Sequence, residues 1–298
     1  MRPRPRLGLR LATCTAALAT ATGLLTGCGS SAGSGAATSA RSEGPGSFAL
    51  ALGIDADDPG ARASLAGYDL VVVDGGETST EAVTALQDHG ATVLAYLSVG
   101  TVEPGRDWFA TAEDEGWLLD HWPDWDEWYA DVAEPDLRGL LVDEARTELA
   151  KGFDGLFLDN TDMVQAHPDQ REGMQQLVAD LDEAVGPDRL LFAQNGDPVA
   201  AGIVDHLDGW NREDVSQTYD FDEEAYAAVS ADDHAAAVAQ LAALHERGLV
   251  VTAADYTDGH DAAVDAAAQR AACAAGALPF TSDIGLTRIP APPPTCET

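Results

Sequence analysis

The sequence predicts an α/β chain folded as a (β/α)8 TIM barrel, on three observations. Short, almost continuously apolar runs recur from Phe48 to Ser282, Leu70-Val71-Val72-Val73 being the plainest. Strands covered by helices on both faces have that composition. Amphipathic helical segments separate the runs, and a regular strand–helix alternation gives a parallel sheet. The competing doubly wound sheet expects a Gly-rich phosphate loop after the first strand, and none follows it here.

In order, the strands are expected at Phe48–Ile54, Asp69–Val73, Thr92–Leu97, Gly155–Asp159, Leu190–Gln194, Leu207–Asn211, Leu249–Ala254 and Leu278–Ser282. Helical spacing is expected over Glu81–His89, Arg171–Val185, Ala231–Arg247 and Ala262–Ala274. Another helix places Leu137, Leu140, Leu141, Ala145 and Leu149 on one face and stops at Gly152. The last helix of the barrel is missing, because the prolines after Asp283 forbid it. The connection Ser98 to Asp136 is long and holds Trp108, Trp117, Trp122, Trp125 and Trp128, five of the six tryptophans. It leaves the carboxyl end of the third strand, so it is expected over the barrel mouth. Most of these rings fit a satellite core that holds the loop together; one or two can face a ligand, since aromatic faces stack on sugars and attract cations.

The amino terminus carries Arg2, Arg4, Arg6 and Arg10, then an Ala/Leu/Thr-rich run ending Leu25-Thr26-Gly27-Cys28. A basic segment, a short apolar segment and small residues make a secretory signal over residues 1–27 rather than a membrane span. The last four residues resemble a bacterial lipobox, which implies lipidation of Cys28 and an extracytoplasmic, membrane-anchored protein. Residues 28–47, poor in large apolar side chains, read as a flexible tether, leaving 48–298 as one domain. Cys14 leaves with the signal, so Cys273 and Cys296 remain, either as a disulfide tying the Pro-rich tail to the last helix or as two free thiols.

The formal net charge is −35. That sign argues against nucleic acid and against anionic membrane surfaces, the membrane being reached through the lipid alone. It suits a cationic ligand, or simply keeps an exported protein soluble. The acids fall at strand ends: Asp74 after the second strand, Asp159 and Asp162 after the fourth, and Asp197 after the fifth. Glu213 and Asp214 follow the sixth, Asp255 the seventh and Asp283 the eighth. Helix and turn caps explain single aspartates, but not carboxylates so consistently at one rim. Such a rim repels itself unless a ligand, a cation or raised pKa values relieve it. The seven histidines show no His-Glu-x-x-His and no close pairing, and no loop has twelve-residue calcium spacing, so no metal or cofactor is expected. Gly-x-Ser-x-Gly is absent from 48–298 too, and nothing there suggests a nucleophilic serine, which leaves carboxylates to do the chemistry.

Several motifs in sequence order resemble glycoside hydrolase family 114, the endo-α-1,4-polygalactosaminidases. They are Tyr-Asp-Leu-Val-Val-Val-Asp (68–74), Ala-Tyr-Leu-Ser-Val-Gly (95–100) with Glu103 and Arg106, and Gly-Phe-Asp-Gly-Leu-Phe-Leu-Asp (152–159) with Asp162. Gln-Asn-Gly-Asp (194–197), Arg-Glu-Asp (212–214) and Asp-Tyr-Thr (255–257) follow. The resemblance implies a TIM-barrel hydrolase of α-1,4-linked galactosamine polymers with Asp159 and Glu213 as its catalytic pair. It also implies substrate contacts from Asp74, Tyr96, Glu103, Arg106, Asp162, Asn195, Asp197, Asp255 and Tyr256. Thr101 departs from the pattern, standing where the family usually has the first glutamate of Gly-Glu-x-Glu. Asp197 and Asp255 replace glutamates, and Ser216-Gln217 replaces aromatic residues. Two alternatives stay open at this point: a non-catalytic carbohydrate-binding lipoprotein on the same barrel, and a glycosidase for another α-linked sugar such as an α-galactosidase.

Overall fold

A computed structural model describes residues 44–296 of the chain. The proposed signal, the Cys28 lipidation site and all but the last few residues of the tether lie outside the described residues. From Pro45 on, the chain forms one compact unit.

Eight strands make its centre: β1 (Phe48–Leu50), β2 (Leu70–Asp74), β3 (Thr92–Ser98), β4 (Gly155–Asp159), β5 (Leu190–Gln194), β6 (Gly209–Glu213), β7 (Val250–Tyr256) and β8 (Leu278–Ser282). Each pairs in parallel with the next in chain order. The sheet curls until Phe280 of β8 meets Phe48 of β1 edge to face, 6.0 Å between centroids. This is a nearly closed (β/α)8 barrel, as the apolar runs predict. Five long helices pack outside it, at Thr80–Asp88, Pro135–Ala150, Arg171–Val185, Ala231–Glu246 and Ala262–Ala274. Local signals set their ends: the Ser79 and Ser230 side chains accept from the first turns of their helices, and Pro135 opens its own.

Several strand boundaries move: β2, β3 and β7 shift by one or two residues, so that Asp74 ends β2 and Asp255 lies within β7. β1 stops at Leu50 rather than Ile54, and β6 runs Gly209–Glu213 rather than Leu207–Asn211, so Glu213 is the last residue of its strand. Among the described residues no helix follows β8. The tail runs back instead, with Cys296 bonded to Cys273 of the last helix, and Tyr68 donates its hydroxyl to Pro290 O at 2.7 Å.

The Trp-rich connection has structure of its own. It forms a helix (Phe109–Glu115) and a three-stranded antiparallel sheet of Thr101–Val102, Glu127–Ala130 and Leu118–Trp122. Gly100 lets it leave β3 against the end of β4, since a Cβ there would stand 1.9 Å from Asn160 O. Trp108 and Trp117 pack on the core. Trp128 lies between Phe109 and His121, at 5.4 and 4.5 Å. These three rings hold the loop together, as expected for most of them. A second hairpin, Gln217–Asp220 with Ala225–Ala228, follows β6 and had no counterpart in the sequence reading.

Candidate active site

At the carboxyl ends of the strands lies a cleft of about 300 Å³. The strand ends supply Tyr96, Asp159, Gln194, Glu213 and Tyr256 to it, and the turns beyond them Asn160, Asp162 and Asn195. The Trp-rich loop adds Trp122, Trp125 and Glu127, and Ile284–Leu286 of the tail close another side.

One backbone device repeats beneath this floor. Asn160, Asn195 and Asp214 directly follow β4, β5 and β6, with φ of 58°, 53° and 54°. Each turns the chain sharply through the left-handed region, which Asn and Asp tolerate best among residues with a side chain. The strand-final side chains Asp159, Gln194 and Glu213 are thereby left at the barrel rim.

Asp159 is held by three donors. Tyr96 OH reaches Oδ2 at 2.8 Å, while Gln194 Nε2 and the Asn160 N–H reach Oδ1 at 2.9 and 2.7 Å. Gln194 is itself oriented by Asn211 Nδ2 at 2.7 Å, and Asn211 by the Thr252 hydroxyl at 2.6 Å. A buried polar chain therefore crosses β7, β6 and β5 and ends on the carboxylate. Desolvation raises the pKa of Asp159, and the three hydrogen bonds oppose that rise by favouring the charged form.

Glu213 sits differently. Tyr256 OH donates to Oε1 and Asn195 Nδ2 to Oε2. Desolvation, then the negative charge of Asp159, push it from its ordinary 4.5 up to about 8. The pair thus comprises one carboxyl held by three donors and another that keeps its proton at neutral pH. Two carboxyls differentiated in this way can serve as nucleophile and acid.

The chain matches the model of glycoside-hydrolase family GH114 over residues 30–285. It belongs to that family and is a glycosidase. Among solved structures, the GH114 protein is similar to the glycoside hydrolase domain of PelA from Pseudomonas aeruginosa. The identity is 26% and the TM-score 0.68, covering 83% of this chain and 98% of that one. It shares its fold with Aspergillus fumigatus Ega3, solved in complex with galactosamine, at 18% identity and a TM-score of 0.63, over 85% of this chain and 97% of that one. An uncharacterized protein of Deinococcus radiodurans is 31% identical over 121 residues, 38% of this chain and 39% of that protein's length.

The other expected site residues of the GH114 chain are distributed unevenly. Tyr96, Asp162, Asn195 and Tyr256 line the cleft with Asp159 and Glu213. Desolvation and the charge of Asp159 push Asp162 up to about 7. Asp74, Glu103 and Arg106 instead form one ionic cluster beside the cleft. Arg106 binds both oxygens of Asp74, at 3.1 and 2.8 Å, and Glu103 at 2.7 Å. Glu103 and Arg106 line a neighbouring cavity of about 290 Å³. Asp197 stands on the outer rim, bonded by Arg212 and Gln240. Asp255 is 1% exposed and accepts from the N–H groups of Ser216 and Gln217, so its carboxylate pins the hairpin after β6. Asp283 likewise accepts from Thr287 and Arg288 and shapes the tail.

Gln194, Asn160 and Glu127 join the site without having been singled out in the sequence. A polar residue ending an apolar strand is the signal that could have found Gln194. Glu127 carried no such signal, being one of seven acids scattered among the tryptophans. Among the described residues, no group of three or more His, Cys, Asp or Glu side chains could hold a metal ion.

Proposed function

We propose that this GH114 protein hydrolyses a polysaccharide containing α-1,4-linked galactosamine by a retaining, two-carboxylate mechanism. Asp159 attacks the anomeric carbon, and the C1–O glycosidic bond breaks as Glu213 passes its proton to the leaving oxygen. Glu213, now a carboxylate, takes a proton from water as that water attacks C1. The sugar is released with retained configuration, Asp159 is freed, and Glu213 is protonated again.

One observation carries the assignment: Asp159 receives three hydrogen bonds suited to a carboxylate, while Glu213 is pushed to about 8 on the same cleft. The substrate class is supported by the galactosamine in the Ega3 structure and by the acidity of the mouth, which favours a cationic polymer. The protein is further proposed to be exported and held at the bacterial membrane by lipid on Cys28, on the strength of Leu25-Thr26-Gly27-Cys28.

Incubation with a partly deacetylated galactosamine–galactose polymer, with mass spectrometry of the products, tests the reading. Amino-sugar oligomers are expected from the wild type and none from Asp159→Asn. No cleavage of amino-sugar polymers alongside turnover of chromogenic α-galactosides would replace this reading with the α-galactosidase one.

A further inference from the structure

We propose that Glu127 sets the selectivity of the cleft for sugars carrying a free ammonium group, by pairing with that nitrogen against the wall formed by Trp122. The inference rests on the galactosamine reading above and names the residue that would enforce it.

Glu127 reaches the cleft from a different element than the catalytic acids. Strand alternation in Glu127-Trp128-Tyr129 turns Trp128 toward Phe109 and leaves Glu127 and Tyr129 on the other face. Trp122, the cross-strand partner of Glu127, lies on that same face and stacks flat on Tyr129, at 5.6 Å and 8°. A carboxylate and a half-buried indole thus stand side by side on a wall of the cleft. A sugar lying on such a wall meets both an apolar surface and a charge.

The carboxylate is held at one oxygen only. The Thr101 hydroxyl donates to Oε2 at 2.5 Å, and Thr101 is fixed by Asn160 Nδ2 at 2.9 Å. No arginine, lysine or histidine among the described residues pairs with Glu127. Arg106, a cation of the adjoining cluster, is taken by Asp74 and Glu103. A half-buried carboxylate without a cation is costly when ionised. Desolvation pushes Glu127 up to about 7, opposed by the Thr101 bond, with the charges of Glu103 and Asp159 adding to the rise and the charge of Arg106, which makes no ion pair with Glu127, only partly offsetting it. An arriving ammonium would supply the missing counter-charge. A hydroxyl or an acetamide at the same carbon would not, and so the residue discriminates between them.

Glu127 could instead do no more than pin its strand to Thr101. The substitution Glu127→Gln separates the two roles, because the amide oxygen still accepts from Thr101 while the charge is gone. Calorimetric titration of the purified protein with galactosamine and with N-acetylgalactosamine reads the preference without turnover. The wild type is expected to prefer the free amine. Glu127→Gln should lose roughly tenfold of that preference, with N-acetylgalactosamine binding unchanged, and Glu127→Asp should keep part of it. An intact preference in Glu127→Gln overturns the proposal, and so does equal weakening for both sugars. If Glu127→Gln fails to fold, full wild-type preference in Glu127→Asp and in Trp122→Ala overturns it too. Failure of the wild type to cleave galactosamine polymers, with the binding preference still dependent on Glu127, would sink the proposed reaction and leave this inference standing.

Discussion

Asn195 grips Glu213 at two points: its Nδ2 donates to Oε2 at 2.7 Å, and its Oδ1 accepts the Glu213 backbone N–H at 2.9 Å. Asn195, in the left-handed turn just past β5, thereby ties that turn to the end of β6, 18 positions on. Replacing it by Asp keeps the backbone acceptor and tolerates the same φ, but exchanges a donor for a second negative charge. Asn195→Asp should therefore raise the pKa of Glu213 further and move the alkaline limb of kcat/KM upward, with kcat lowered about tenfold or more. A pH–rate profile superimposable on the wild type would contradict the clamp.

The wild-type profile follows from the same group. In the proposed mechanism Glu213 is protonated for the first step, so activity should fall as pH rises through about 8, and Glu213→Gln should lose on the order of 10²–10⁴-fold in rate. Stability should follow a related course. Glu213, Asp162 and Glu127 are raised to about 8, 7 and 7, so the folded chain keeps protons that the unfolded chain has released. Their contribution is complete below the ordinary carboxylate range and is lost as pH rises through these raised values. The melting temperature should drop between pH 5 and pH 8, and Glu213→Gln should flatten part of that slope. Equal slopes in the two proteins would argue against a raised Glu213.

How much of this was legible in the sequence depends on the range of the signal. Helices Arg171–Val185 and Ala262–Ala274 and strand β4 match the expected bounds, because apolar spacing and neighbouring turn residues fix them locally. The acids at strand ends were visible for the same reason, and Asp159-Asn160 and Glu213-Asp214 also advertise the left-handed turns. Which acids reach the cleft was not visible. Asp74 is taken by Arg106, 32 positions away, and Asp255 by backbone N–H groups 38 and 39 positions away. Glu127 was hidden because Thr101, which holds its carboxylate, lies 26 positions away on a strand of only two residues, too few for a period to show.

The Trp-rich loop should separate into two kinds of ring. Trp125 is 44% exposed and meets Phe221 of the second hairpin edge to face at 5.4 Å, so the two loops touch across the mouth. Trp125→Ala should raise KM for polymer several-fold, as loss of about 0.5–1.5 kcal/mol of aromatic contact would, with little change in melting temperature. Trp128→Ala should do the reverse, destabilising by about 1–3 kcal/mol while sparing KM in the protein that remains folded.

Asp255 offers a test of anchoring against substrate contact. Removing its side chain strands the two N–H groups at the base of the hairpin that carries Tyr219 and Phe221. Asp255→Ala should cost about 1–3 kcal/mol in thermal or urea unfolding, and Asp255→Asn, which still offers an acceptor oxygen, distinctly less. Equal stability losses in both variants, or none, would mean that the anchor does not matter.

The tail replaces a helix, and its attachments divide the labour. The Cys273–Cys296 bond spans 23 residues and holds the far end, beyond the prolines. The near end, which carries Ile284 and Leu286 into the cleft, is fixed separately: Asp283 accepts from Thr287 N–H at 2.7 Å, Arg288 donates to Thr257 Oγ1 at 2.6 Å, and Tyr68 holds Pro290. Breaking the disulfide should thus release the end of the chain without opening the cleft. A Cys273→Ser, Cys296→Ser double variant should lose about 3 kcal/mol, the entropy of freeing a loop of that size, or roughly 6–12 °C in melting temperature. Its kcat at 25 °C should stay close to wild type. A large loss of activity in the folded double variant would mean that the bond itself shapes the cleft wall, and that the contacts of Asp283, Arg288 and Tyr68 cannot hold it alone.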